Sequence, residues 1–260
     1  MNALETRSRA ARAAGRKLLV PYVTGGITED WTDLLRAAVD AGADAIEVGL
    51  PFSDPTLDGP VVQQSSYQAL NRGATAGRIL DEVSRLGLPV PLIAFTYANL
   101  VLRNGVDAFC GALADAGVRG LIVPDLPIDE ADPVATAAED AQVDLVLLAS
   151  PSTPARRRIE IAERSRGFVY AVSVMGTTGE QSELRESGRH LVASLRQATD
   201  LPVVLGFGIS GPEQAGEAAG YSDGVAVGSA VMRRVLDGAG PAELGRFLAR
   251  LRTALDGAGG

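Results

Sequence analysis

The feature that most constrains this chain is an eightfold alternation of short Val/Ile/Leu-rich runs with longer amphipathic stretches. The runs are Leu18–Thr24, Ala45–Leu50, Pro91–Thr96, Gly120–Pro124, Asp144–Ala149, Phe168–Val174, Pro202–Gly206 and Gly224–Val227. They are continuous in apolar residues more than alternating, the pattern of parallel strands buried on both faces. Between them, Trp31, Leu34, Leu35, Ala38 and Val39 share one helical face, and Val106, Phe109, Cys110, Leu113 and Ala114 repeat the spacing. Ala41-Gly42-Ala43-Asp44, Leu86-Gly87-Leu88 and Ala116-Gly117-Val118 each put a glycine just past a helix and before a strand, where the left-handed conformation ends helices. Eight such units predict a (β/α)8 barrel, an α/β fold of about 250 residues in one domain. The 260 residues fit a single domain over 1–260, with no linker or low-complexity tract and a frayed tail at Asp256–Gly260. The competing fold is an open doubly wound sheet, whose dinucleotide version lacks its G-x-G-x-x-G at the first turn. Met1–Lys17, with four Arg, one Lys and one acid, reads as an extra N-terminal helix covering the barrel floor. A transit peptide is the lesser reading, because a strand begins at once without a cleavage region.

Totals exclude several functions. A net charge of −8 disfavours nucleic-acid binding, which needs a concentrated basic face. No apolar run reaches the roughly 18 residues of a membrane span, so the expected location is the cytoplasm. With one cysteine and one histidine there is no intramolecular disulfide, and a four-ligand zinc site is disfavoured. Cys110 reads as a small core residue rather than a reactive thiol. His190 reads as a solvated residue at the start of a helical stretch, which leaves no Ser-His-Asp triad and assigns acid/base chemistry to carboxylates, Tyr or Lys.

In a barrel the active site lies at the C-terminal strand ends. In the second run, period 2 puts Glu47 on the face of Ala45 and Gly49, opposite Ile46 and Val48. A carboxyl there is costly to ionise, which suits general acid/base work; a glutamate held by hydrogen bonds in a polar barrel layer fits the same pattern equally well. The following loop, Pro51–Pro60, carries Asp54 and Asp58, and for either the ordinary role is that of a turn or cap residue. Gly206-Phe207-Gly208-Ile209-Ser210-Gly211-Pro212 follows the seventh run, and Gly228-Ser229-Ala230 follows the eighth and opens a helix. Both positions suit a phosphate grip made of backbone N–H groups, which needs no basic side chain. Gly176–Gln181, after the sixth run, reads as a mobile lid with a further phosphate donor at Gly179, or as an ordinary flexible loop.

The stretch Glu47-Val48-Gly49-Leu50-Pro51-Phe52-Ser53-Asp54-Pro55 with Asp58-Gly59-Pro60 resembles the signature of the tryptophan synthase α subunit. Agreement runs on through Tyr97-Ala98-Asn99, Val123-Pro124-Asp125-Leu126-Pro127, Tyr170, Gly176-Thr177-Thr178-Gly179, Gly206–Ser210 and Gly228-Ser229-Ala230, in order and spacing along most of the chain. The resemblance implies a lyase that cleaves indole-3-glycerol phosphate to indole and glyceraldehyde 3-phosphate by retro-aldol chemistry. It implies Glu47 as general acid/base, and Asp58 as the group that hydrogen-bonds the indole N–H and stabilises the cationic intermediate. Tyr170 would line the site. Gly179, Gly208, Gly228 and Ser229 would hold the phosphate, and Phe207 and Leu126 the indole ring. Such chemistry needs no metal and no organic cofactor in this chain; pyridoxal phosphate belongs to the β subunit expected as partner in an α2β2 heterotetramer, which Pro51 and Asp54 would face.

Two segments depart from the family pattern. Thr24-Gly25-Gly26-Ile27-Thr28 replaces a frequent Gly-x-Pro turn, and Ser173-Val174-Met175 lacks an Arg that often follows the Ser. These bear on partner contacts and the lid, and leave room for a stand-alone indole-3-glycerol phosphate lyase or a non-catalytic phosphate-binding regulator. A histidine-pathway-type barrel isomerase is opposed by Thr24 and Ser150, where acids would be expected.

Overall fold

The computed structural model describes residues 2–172, 181–206 and 208–257, with 181–185 as helix backbone only. The strands are β1 (Leu18–Thr24), β2 (Ile46–Gly49), β3 (Leu92–Phe95), β4 (Val118–Ile122), β5 (Asp144–Val146), β6 (Leu148–Ala149), β7 (Val169–Val172), β8 (Val203–Gly206) and β9 (Gly224–Val227). The helices are α1 (Ala3–Ala13), α2 (Trp31–Asp40), α3 (Pro60–Asn71), α4 (Ala76–Val83), α5 (Ala98–Leu102), α6 (Val106–Asp115), α7 (Asp132–Asp140), α8 (Ala155–Arg164), α9 (Gln181–Arg196), α10 (Pro212–Ala219), α11 (Ser229–Leu236) and α12 (Pro241–Gly257). Every predicted run contains a strand. The fourth begins two residues earlier than expected, at Val118; Ser173 and Val174 of the sixth lie outside the described residues; the fifth is divided into β5 and β6 at Leu147.

That division is the seam of the barrel. All pairings are parallel, in the order β5-β4-β3-β2-β1-β9-β8-β7-β6, so the two ends of the sheet are consecutive pieces of one run. The run has β4 on one edge and β7 on the other, and Leu147 faces the β7 side with both backbone groups: its N–H donates to Ser165 Oγ at 3.0 Å and its carbonyl accepts from Tyr170 N at 3.0 Å. The buried Ser165 hydroxyl in turn donates to the Phe168 carbonyl at 2.7 Å.

Packing separates two apolar regions. Inside the barrel, Leu18, Val20, Ala45, Ile93, Ile122, Val146, Phe168, Val204 and Ala226 form one cluster; the opposite strand faces pack on the helices in a second, larger one. Leu4 and Ala11 of α1 belong to the interior cluster, so the N-terminal helix plugs the floor as the sequence suggested. The helix faces behave likewise: Trp31, Leu34, Leu35, Ala38, Phe109, Cys110 and Leu113 are buried. Burial pushes the Cys110 thiol up to about 11, which keeps it protonated and inert. Gly42, Gly87 and Gly117 take φ of +92°, +56° and +78°, the left-handed ends the sequence called for. His190 is exposed beside Glu186, but it lies well within α9 rather than at its start.

The floor is braced by buried acids that are fully engaged. Asp44 accepts from Leu19 N and from Arg16 and Arg252; Asp144 accepts from Glu5 N and Asn2; Asp223 accepts from Val203 N and Arg196. Glu5 holds Arg9 at 2.8 Å and Gly167 N at 3.3 Å. Among the described residues no helix is long and apolar enough to cross a membrane.

Candidate active site

Glu47 differs from those floor acids. It sits in β2 opposite Tyr22 of β1 and Ile93 of β3, on the interior face with Ala45, and is only 2% exposed. Its Oε1 is buried and has no hydrogen-bond partner among the described residues. Burial raises the carboxyl to about 8, with partial relief from the Tyr170 hydroxyl. Of the five buried acids among the described residues, only this one has a side-chain oxygen without a partner. A buried polar group left unpaired costs stability, and such groups concentrate where a ligand completes them.

Two tyrosines flank it, each made possible by a glycine on the neighbouring strand. A Cβ on Gly49 would lie 2.0 Å from Tyr22 Oη, and one on Gly206 would lie 2.1 Å from Tyr170 Cε1. The rings therefore lie flat over the ends of β2 and β8, a close approach only glycine permits. Tyr22 packs edge-on against Phe95 at 5.6 Å and accepts from Thr24 Oγ1 at 3.3 Å. Both phenols are held far above their ordinary range, chiefly by burial, and both feel the charges of Glu47 and Asp58. They remain neutral hydroxyls at any ordinary pH.

Asp58 comes from the loop after β2. Its Oδ2 accepts from Tyr97 Oη at 3.1 Å, and Tyr97 Oη accepts from Leu57 N at 3.1 Å. Phe52 stacks on the Tyr97 ring at 5.3 Å, so the loop is pinned to the end of β3 from both sides of the phenol. Burial raises Asp58 to about 6 while the Tyr97 hydrogen bond pulls it down.

Of the other expected residues, those described lie in or after the strands. Tyr170 is buried against the site, and Leu126 is half-buried after β4, packed on the outer core. Gly208 has φ +46° with open space where a Cβ would stand. Gly228 is the N-cap of α11 and Ser229 its first residue; no side chain caps that end, so its N–H groups are free to meet an anion. Asp54 is exposed and Pro51 buried. Gly179 and Phe207, with the departure at Ser173–Met175, lie outside the described residues. At the other departure a Cβ on Gly25 would meet Ile79 at 2.8 Å and one on Gly26 would meet Ala74 at 2.7 Å, so this turn lies tightly on α4 and the α3–α4 connection. Among the described residues no group of His, Cys, Asp and Glu could hold a metal ion. Two clefts among the described residues lie away from the mouth, one at the floor beside α1 and one outside the β1–α2 turn.

Sequence reasoning missed Tyr22 and took Tyr97 only as part of a motif. The available signal was a phenol near the C-terminal end of an otherwise apolar run, on the same face as Leu18 and Val20.

Comparison with known proteins follows the same line. The model of the family described as tryptophan synthase alpha chain matches residues 9–250. A tryptophan synthase alpha chain of Gloeobacter violaceus is 44% identical, covering 95% of this chain and 94% of that one. One of Prochlorococcus marinus is 42% identical, covering 96% and 94%. Among solved structures, a Mycobacterium tuberculosis tryptophan synthase superposes with a TM-score of 0.90 at 36% identity, covering 98% of both chains. A tryptophan synthase alpha subunit of Legionella pneumophila superposes at 0.89 with 30% identity and 99% coverage of both.

Proposed function

Because the chain belongs to the tryptophan synthase alpha chain family, we propose that Glu47 and Asp58 are the two carboxyls that carry out its reaction. The chain is a lyase of tryptophan biosynthesis that cleaves indole-3-glycerol phosphate to indole and glyceraldehyde 3-phosphate. Retro-aldol cleavage needs an acid at C3 of the indole and a base at the glycerol hydroxyl. Glu47 serves both: protonated by its burial, it delivers its proton to C3, and the carboxylate that results takes the hydroxyl proton as the carbon–carbon bond breaks. The observation that carries this reading is the buried Oε1 without a partner among the described residues, on a carboxyl of the barrel's interior face. Asp58, ionised near neutral pH, accepts from the indole N–H and stabilises the positive charge that develops on the ring. Tyr170 bounds the cavity and holds the Glu47 carboxyl in place.

The phosphate lies at the free N-terminus of α11, with Gly228, Ser229 and Gly208 as backbone donors and Gly179 joining them; Leu126 and Phe207 hold the indole. An anion gripped this way suits a chain of net charge −8 with no basic side chain at α11's start. No organic cofactor takes part in this chain's steps. The partner is a tryptophan synthase beta chain carrying pyridoxal phosphate, in an α2β2 assembly of the cytoplasm, with Asp54 and Pro51 on the loop facing it.

Glu47→Gln keeps the shape and removes the proton shuttle. It should abolish indole release while indole-3-glycerol phosphate still binds in calorimetry. Turnover within a few-fold of the native chain would remove Glu47 from the mechanism.

A further inference from the structure

Tyr97 uses its hydroxyl completely. The Leu57 N–H occupies the acceptor side at 3.1 Å, so the phenolic hydrogen is directed at Asp58 Oδ2, also 3.1 Å away. Tyr97 is itself only 3% exposed and serves as the N-cap residue of α5. The next residue, Ala98, donates its N–H to Asp125 Oδ1 at 2.8 Å, and Asp125 belongs to the segment after β4. A short helix such as α5 leaves its first N–H groups without internal acceptors, and Asp125 supplies one at the point where the chain turns from Tyr97 into the helix.

We infer that Tyr97 is a positioning residue for Asp58 and that Asp125 sets Tyr97 in place, so that the segments after β2, β3 and β4 hold the indole-binding carboxylate as one connected unit. The inference rests on the proposed role of Asp58. Three features support it: the loop after β2 is tied to Tyr97 by two hydrogen bonds, Phe52 stacks on the same ring at 5.3 Å, and the acceptor for Ala98 N comes from a third loop. The titratable groups around Asp58 are Tyr22 from β1, Tyr97 after β3 and Tyr170 from β7, with Glu47 facing the same two tyrosines of β1 and β7. Of these, only Tyr97 stabilises the ionised form by donating to it.

The test measures indole release against pH with a beta chain present, for Tyr97→Phe, Asp125→Ala, Asp125→Asn and Asp58→Asn, each checked by thermal melting. Tyr97→Phe should lower kcat about ten- to hundredfold near neutrality, the range for losing a hydrogen bond to a charged group. Its low-pH limb should also move to higher pH, because the carboxylate has lost its donor. Asp125→Ala should move both quantities in the same direction by less, and Asp125→Asn, which keeps the acceptor oxygen, should restore them. A Tyr97→Phe chain with a native rate and an unmoved limb, beside an inactive Asp58→Asn, would overturn the inference and leave the role of Asp58 standing. A lowered rate with an unmoved limb would also overturn it, as a general packing effect. A near-native Asp58→Asn would overturn the reading beneath it. If Tyr97→Phe does not fold, the Asp125 pair decides: no difference between Ala and Asn overturns the inference, and rescue by Asn supports it.

Discussion

Glu47 and Asp58 sit in opposite protonation states at neutral pH, although both are carboxyls raised by the same cause. Glu47, wholly enclosed, is pushed up to about 8; Asp58, partly open and given a hydrogen by Tyr97, reaches about 6. In the proposed mechanism this difference in enclosure divides acid from charge stabiliser, the arrangement by which one site runs acid and base chemistry together. The sign follows. Asp58 must be ionised, so the rate rises as pH climbs through about 6; Glu47 must start protonated, so it falls as pH passes about 8. The pH dependence of kcat/KM should be a bell between those limits, and Asp58→Asn should remove its acid limb along with most of the rate. A flat profile from pH 5 to 9 would contradict the assignment of both groups. Side-chain alternation was enough to turn Glu47 inward, because Ala45 and Gly49 share its face. Nothing local distinguished Asp58 from a turn aspartate beside glycine and proline; its significance depends on Tyr97, thirty-nine positions on, and only the family resemblance pointed to it before the fold did.

Among elements, the strands were the most legible, because parallel strands buried on both faces leave uninterrupted apolar runs; β1 and β9 have the boundaries expected of them. The split of the fifth run was not legible. Leu147 is as apolar as its neighbours, and the run's two partners, β4 on one edge and β7 on the other, arise from barrel closure, which depends on all nine strands together. Ser165 holds the Leu147 N–H ahead of β7, and its sequence context, after a helix and before Arg166-Gly167, reads as an ordinary helix end. Ser165→Ala would leave the buried Leu147 N–H without an acceptor, at a cost of about 1–3 kcal/mol. Urea titration should show that loss in the unfolding midpoint while the pH bell stays in place; an unchanged midpoint would mean that the seam is held by packing alone. The floor helix was legible as an element but not in its attachment: Asp144, 139 positions from Glu5, takes the N–H that a capping side chain would normally take.

On the scale of the molecule, buried charge is divided by function. The floor acids are saturated with partners, while the mouth carries one acid with an unsatisfied oxygen and another tethered by a loop. With Glu47 and Asp58 in their proposed roles, stability and chemistry occupy opposite ends of the barrel. The exposed Leu57 and Leu102, at 60% and 58%, stand on the segments after β2 and β3 that also carry Asp58 and Tyr97. A beta chain seated on that end would bear on the catalytic loop, so adding it should raise the rate of indole release from indole-3-glycerol phosphate several-fold or more. Equal rates with and without it would instead describe a self-sufficient lyase. The order of the sheet has a further consequence for the way the chain is made. Strands pair with their neighbours in sequence everywhere except between β1 and β9, where Leu18 waits for Gly224. On a ribosome, the first strand emerges early and keeps a bare edge until almost the whole polypeptide has followed. Bare edges invite pairing with other chains. Proline does not blunt that edge: Leu18 N turns to Asp223 on the β9 side whereas Gly25 N turns to Gly49 of β2, so the N–H that Pro21 lacks falls on the β2 side, and the β9 side keeps every donor until synthesis ends.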